Sequence, residues 1–296
     1  MAQTTANSIH QKVSQLFKSA CLAELEALKP GNVHIFADGH GMTVHDFIKS
    51  AEAVSSVIAL PDLTLGQRIL LSVEATQEAV GCNTNLGIIL ICAPLVHAAL
   101  MLSQYRLSGQ DDYLDRLKYV LQNTTIDDAT LTFKAINLAN PAGLGYVYEH
   151  DVHQTADCTL LEAMKAAACR DTIASQYHNN FDAIFNLALP ILKTSFQDKK
   201  PAWLATQVYL TFLAIFPDSH LLRKYGEAVA RDIQQQAKLY LTIFNISGNP
   251  KLNQAKLLAW DKELKQKQLN PGTSADLTVA SLFAYGFTQL LEQSDS

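Results

Sequence analysis

Glycine and proline are scarce in this chain, at 13 and 9 of 296 residues. With so few breakers, and no stretch in which β-branched residues alternate, the composition favours helices over sheet. Charged residues are also few, 17% against 48% hydrophobic, which excludes a disordered chain. The net charge of −5 argues against a general nucleic-acid binder, whose affinity comes mainly from clustered Lys and Arg. Five cysteines, Cys21, Cys82, Cys92, Cys158 and Cys169, form an odd set without a CxxC pair. They read as buried reduced thiols, with Cys82 beside a helix start as the one candidate for reactivity. The N-terminus lacks the basic head and apolar core of a signal peptide. The longest apolar run, 88–102, falls short of the roughly 20 residues needed to span a bilayer. A cytoplasmic protein without a membrane partner is expected. Walker loops, GxGxxG, GxSxG and HExxH are all missing, which removes the commonest nucleotide, hydrolase and zinc-protease frameworks.

What is present centres on 81–102, GCNTNLGIILICAPLVHAALML. Asn83, Thr84 and Asn85 stand between Gly81 and Gly87, and only His97 interrupts the apolar run that follows. A helix without a polar face must be buried on all sides. Its polar first turn would place unpaired N–H groups and a partial positive charge at the floor of a ligand site, a setting suited to anions such as phosphate.

The remaining pattern is helical throughout. A first helix is expected over 9–28, ended by Lys29-Pro30-Gly31-Asn32. Thr43 reads as the N-cap of a helix reaching residue 60, and Thr64 starts another that stops at Gly81. Helices follow over 109–122 and from 125 to Asn140-Pro141, then a glycine-containing loop to about 157. Thr159 with Glu162 has capping-box spacing for one long helix reaching Tyr177. Further helices are expected over 181–196, 202–216, 221–245, 251–268 and 275–292. The predicted fold class is all-α: a single multi-helix domain over 1–296, about a dozen helices around the buried central one.

Three loops share one design, a breaker followed by amides or hydroxyls and then an apolar helix. They are Lys29-Pro30-Gly31-Asn32, Asn83-Thr84-Asn85 and Asn270-Pro271-Gly272-Thr273-Ser274-Ala275-Asp276. If they meet around one hollow, Lys29, Asn32, Asn83, Thr84, Asn85 and Ser274 are the candidate phosphate contacts. Carboxylates near these loops or in apolar helices are Glu24, Glu74, Asp171 and Asp276, with Asp127 and Asp128 read as first-turn dipole partners. A triphosphate is usually held through Mg²⁺ by one or two carboxylates. Glu24, Glu74 and Asp276 are therefore the candidate metal ligands, and Glu24, Asp171 and Asp276 the candidate catalytic groups. His34, His40 and His45 gather in one loop, and His150 and His153 flank Asp151. No zinc framework surrounds either set, so packing and hydrogen bonding are the expected roles.

The same loops carry a resemblance. Lys29-Pro30-Gly31-Asn32-Val33 with Met42-Thr43 and Asp46-Phe47, then Gly81-Cys82-Asn83-Thr84-Asn85-Leu86-Gly87, then Asn270 to Leu277, resemble the triphosphoribosyl-dephospho-CoA synthase family. Asp171, in Arg-Asp-x-Ile-Ala-x-Gln-Tyr, fits one branch of it. The resemblance implies an all-helical fold, ATP as substrate, and transfer of its 5-triphosphoribosyl group to the 2′-hydroxyl of 3′-dephospho-CoA, with adenine released. Two positions depart from the citrate-type pattern: Asn85-Leu86 stands where a His-Lys pair is usual, and Thr273 where a second glycine is. In this the chain is more similar to a branch linked with tetrahydromethanopterin-dependent one-carbon metabolism, which opens a related cofactor precursor as acceptor.

Two other readings use the same residues: a Mg²⁺-dependent nucleotide phosphohydrolase, and a non-catalytic helical binding protein. The high apolar content also suggests a homodimer.

Overall fold

The structure, a computed structural model, describes residues 2–105, 109–194, 201–247 and 249–294. Fourteen α-helices make up most of it, and no strand forms among the described residues. The first six are α1 (Ala2–Glu26), α2 (Val44–Ile58), α3 (Leu65–Val80), α4 (Leu86–Tyr105), α5 (Gly109–Gln122) and α6 (Ile126–Ala139). A loop then leads to α7 (Leu160–Ala167) and α8 (Thr172–His178). A π-helical turn over Ala183–Ala188 precedes α9 (Leu189–Thr194), α10 (Pro201–Ile215), α11 (Ser219–Tyr225) and α12 (Glu227–Ile246). A short 3₁₀ turn, Pro250–Asn253, leads to α13 (Gln254–Gln266) and α14 (Gly272–Ser294).

Local chemistry sets the helix starts. Thr43, Thr64, Thr125 and Thr159 each form a complete capping box with Asp46, Gln67, Asp128 and Glu162. Each box satisfies N–H groups the helix cannot satisfy itself, worth about 1 kcal/mol. Asp128 does more than cap: its second oxygen accepts from Gly66 N–H at 2.7 Å and ties α6 to α3.

The apolar α4 is enclosed as its composition requires. Ile89, Ile91, Cys92, Ala93, Leu95, Val96, Ala98 and Ala99 are fully buried, with α1, α3, α5 and α14 packed around them. Pro94 lies inside this helix. It has no N–H to give the carbonyl four residues back, which is that of Leu90. The buried Tyr177 hydroxyl donates to this Leu90 carbonyl at 2.6 Å, so a distant helix repairs the gap. The second inner helix is α14, where Thr278, Ser281 and Thr288 are fully buried. Each returns its hydroxyl to the carbonyl four residues earlier, which removes the cost of burying it.

Three expected continuous helices are divided. The 159–177 pattern breaks at Asp171, which has extended backbone and caps α8 by accepting from Ala174 N–H at 3.1 Å. An Asp in a helical pattern competes for an N-cap position, and here it wins. The 221–245 pattern breaks at Gly226, whose φ of +84° suits glycine alone. The 181–196 pattern opens with the π turn, and its last two residues lie outside the described residues. The thiols also differ from expectation: Cys21, Cys92 and Cys158 are buried, while Cys82 is partly buried and Cys169 exposed.

Candidate active site

The first polar loop is locked from below. Gly31 has φ +86°, and a Cβ there would lie 2.8 Å from both the Leu269 carbonyl oxygen and Pro271 Cδ. Only glycine lets the chain pass so close to the third loop. The Gly31 N–H donates to Asp261 Oδ1 at 2.9 Å, and Tyr209 donates to the Pro30 carbonyl at 2.7 Å. Asp261 is also held by Lys265 and His34.

Two asparagines join the first loop to the third. Lys29 Nζ, fully buried, donates to Glu24 Oε1 and, at 2.9 Å, to Asn32 Oδ1. Asn32 Nδ2 then donates to Asn270 Oδ1 at 2.8 Å. Burial pushes the Glu24 carboxyl up and the Lys29 ammonium down, each against the pull of the other's charge. Lys29 therefore acts beneath the site, holding Glu24 and Asn32.

The second loop meets the same place from α4. Asn83 Oδ1 accepts from Leu86 N–H at 3.1 Å and caps the helix; Asn85 Oδ1 accepts from the Thr76 hydroxyl at 2.9 Å. The Thr84 hydroxyl is buried without a partner among the described residues.

The third loop opens α14. Asp218 organises it, accepting from Ser274 N–H and Oγ, both at 2.8 Å, and from the His220 and Leu221 N–H groups of α11. One carboxylate thus ties two helix starts together. Asp276, on the first turn of α14, stands across from Gly87 on the first turn of α4. No hydrogen bond or ion pair among the described residues reaches its carboxylate. Desolvation, then the Asp218 and Glu24 charges, push its pKa well above the usual range, with Arg223 pulling the other way.

The three loops line one cavity of about 630 Å³. Its wall includes Glu24 and Asn32, then Asn83, Thr84 and Asn85, then Asn270, Thr273 and Asp276. Asp171 faces it from α8, its Oδ2 accepting from Arg223 Nη1 at 2.5 Å. Arg170, Lys224, His40 and His220 also line it. His220 is neutral at ordinary pH, its pKa pushed down to about 4 by desolvation and then by Arg223, Lys224 and His40. The far wall comes from Thr132 and Phe133 of α6 and from the 141–152 loop.

Several candidates sit elsewhere. Glu74, on α3, lies outside the cavity wall, its half-exposed carboxylate 3.6 Å from Lys134. Its position two turns before Gly81 turns it away from the loop it precedes in sequence. Ser274 is spent on Asp218, and Lys29 is covered. The sequence pattern did not single out Asp218, His220, Arg223 and Lys224: the first two fall in the gap between the expected helices 202–216 and 221–245, and the other two in a stretch that shows an ordinary amphipathic helix. The Asp-Ser start of α11 was the available signal.

Magnesium chemistry can be tested against these groups. Glu24, Asp171 and Asp276 share a cavity, and the Asp276 carboxylate lacks a cationic partner of its own. A hard oxygen-binding cation suits such a set.

Helical fold and converging loops define an all-α protein with a cavity between helix starts. The chain belongs to the family described as CitG: ATP:dephospho-CoA triphosphoribosyl transferase, whose sequence profile matches residues 10–295. It is 34% identical over 105 residues to a "Probable 2-(5''-triphosphoribosyl)-3'-dephosphocoenzyme-A synthase" of Streptococcus equi subsp. equi (strain 4047), and equally to one of subsp. zooepidemicus (strain H70). Either match spans 35% of this chain and only 34% of the relative's length. The fold is similar to a crystal structure from Archaeoglobus fulgidus titled as that of a "putative triphosphoribosyl-dephospho-coA synthase". Its TM-score is 0.60 at 21% identity, covering 83% of this chain and 98% of that one. None of the helices is long and apolar enough to cross a membrane, as judged on the described residues.

Proposed function

We propose that the protein transfers the 5-triphosphoribosyl group of ATP to the 2′-hydroxyl of 3′-dephospho-CoA, or of a related cofactor precursor, and releases adenine. The observation that carries this reading is the convergence of three sequence-distant polar loops on one cavity large enough for a nucleotide. The family supplies the reaction, and the cavity supplies groups suited to it.

The reaction breaks an N-glycosidic bond and passes through an oxocarbenium-like centre. It asks for three things: a grip on the triphosphate, negative charge near the ribose, and a base for the incoming hydroxyl. Arg223, Arg170 and Lys224 can hold phosphate oxygens, and so can Thr84 and the N–H groups opening α4 and α14. These cations take over the role left open by Leu86, where the citrate-type pattern has lysine. Glu24 and Asp276 would hold Mg²⁺, which would neutralise phosphate charge when bound. Asp276 is also suited to receive the 2′-hydroxyl proton, because burial and the neighbouring Asp218 and Glu24 charges raise its pKa and so make its carboxylate a stronger base. Asp171 keeps Arg223 aimed at the cavity.

The test is incubation with ATP, Mg²⁺ and 3′-dephospho-CoA, with mass spectrometry of the small molecules. Free adenine and a product carrying the triphosphoribosyl group are expected. ADP or inorganic phosphate without adenine would mean a phosphohydrolase, and an unchanged ATP pool with every acceptor tried would leave a binding protein. If adenine appears only with a pterin- or furan-type acceptor, the acceptor half of the proposal is wrong and the transferase half stands.

A further inference from the structure

The loop between α6 and α7 holds a second cluster with its own chemistry. His150 Nδ1 lies 2.8 Å from Asp157 Oδ1 and 3.2 Å from Cys158 Sγ. The three donor atoms all fall within 4.8 Å of one another. Cys158 is buried, Asp157 is exposed, and His150 lies between these extremes and lines the cavity wall.

Two arrangements of Cys, His and Asp carry chemistry, and their geometries differ. In a nucleophile relay the thiol and the carboxylate occupy opposite ring nitrogens, so that a proton can pass across the imidazole. Here both partners converge on the same nitrogen, Nδ1. That geometry cannot relay a proton through the ring. It is the geometry of three donors around a shared centre. A tetrahedral zinc-type ion needs N–O and N–S edges of about 3.3–3.6 Å. The 2.8 Å nitrogen–oxygen contact would open by about 0.6 Å and the 3.2 Å nitrogen–sulfur contact by about 0.4 Å. Soft sulfur and imidazole with one carboxylate suit such an ion better than magnesium or calcium.

The geometry points to a site for one thiophilic divalent cation of the zinc type, bound by His150 Nδ1, Asp157 Oδ1 and Cys158 Sγ, with a fourth position left for solvent or a ligand. Binding forms the metal–sulfur bond and releases the thiol proton to solvent, without oxidation or reduction. Affinity therefore rises with pH.

The site has a mechanical consequence. Val147, His150, Asp151 and Val152 belong to the cavity wall, and side-chain hydrogen bonds to Asp151 hold the wall loop together. Cys158 immediately precedes the Thr159 cap of α7. A cation at the cluster would clasp the wall loop to the start of a helix, fixing one side of the cavity.

Cobalt titration tests the assignment, since a cobalt–thiolate bond adds a near-ultraviolet charge-transfer band. The background is C82S/C169S, which removes the two more exposed thiols. We expect the band to saturate at one equivalent, to be displaced by zinc, and to vanish in C158S and H150Q. D157N should weaken binding several-fold. Circular dichroism checks that each variant is folded, and C158A replaces C158S should the latter fail to fold. A band that persists without Cys158, or no band in the background protein, overturns the site.

Discussion

A Cβ added to Gly87 would lie 1.9 Å from Asp276 Oδ2. The first turns of α4 and α14 are thus pressed together at the cavity, and the carboxylate occupies the space any other residue would need. Gly87→Ala must swing the Asp276 side chain aside. Because the clash is with the end of a side chain, the fold should survive while adenine release falls by about 10²-fold if Asp276 has the role proposed for it. Wild-type rates in a folded Gly87→Ala protein would show that the position of Asp276 is immaterial.

Asp276→Asn separates function from stability. The folded-state pKa of Asp276 lies above its unfolded value, so its stabilising share is complete at low pH and fades as pH rises through the folded pKa. At neutral pH the carboxylate is a net liability in the ligand-free protein. The asparagine variant should gain roughly 1–2 kcal/mol there, lose that advantage toward pH 4, and show no transfer. Thermal melts across pH, read beside adenine release, decide it. A variant less stable than wild type at pH 8 would contradict the charge argument.

Arg223→Lys probes the grip on phosphate. Lysine keeps the charge but loses the planar fork that can bond Asp171 and an incoming oxyanion together. The expected outcome is a KM for ATP raised by about 10-fold with a smaller change in kcat. An unchanged KM would remove Arg223 from the binding set.

Ser274→Ala and Glu74→Ala should part company. Loss of the Ser274 hydroxyl leaves one lobe of the buried Asp218 carboxylate a donor short, at a cost of about 1–2 kcal/mol in denaturant unfolding. Glu74 loses only a half-exposed contact with Lys134, so its variant should match wild type in both stability and turnover within ~0.5 kcal/mol. A large activity loss in Glu74→Ala would mean that the cavity extends to α3 when substrate binds.

The helix starts were legible because capping is local. Thr43, Thr64, Thr125 and Thr159 announce themselves within four residues, and so does the stop at Gly81. The burial of α4 was legible for a related reason: a run without a polar face has only one stable place to go. The broken helices were not, since Asp171 and Gly226 are compatible with a helical pattern until their backbone is seen. Among the site candidates, loop residues such as Asn32 and Thr84 were readable from a breaker followed by amides. Arg223 was hidden inside an amphipathic stripe, where a charge reads as solvent-facing, and Asp218 in the short gap between two expected helices.

The amino-acid order alone determined an all-helical chain, its apolar centre and three polar loops placed before helices, because periodicity, caps and breakers act over a few residues. Tertiary packing alone decided that those loops share one hollow, that Lys29 and Ser274 lie beneath its surface while Arg223 reaches it, and that His150, Asp157 and Cys158 share a single nitrogen's surroundings. Such meetings depend on how helices distant in sequence bury one another, and no local pattern encodes the resulting distances.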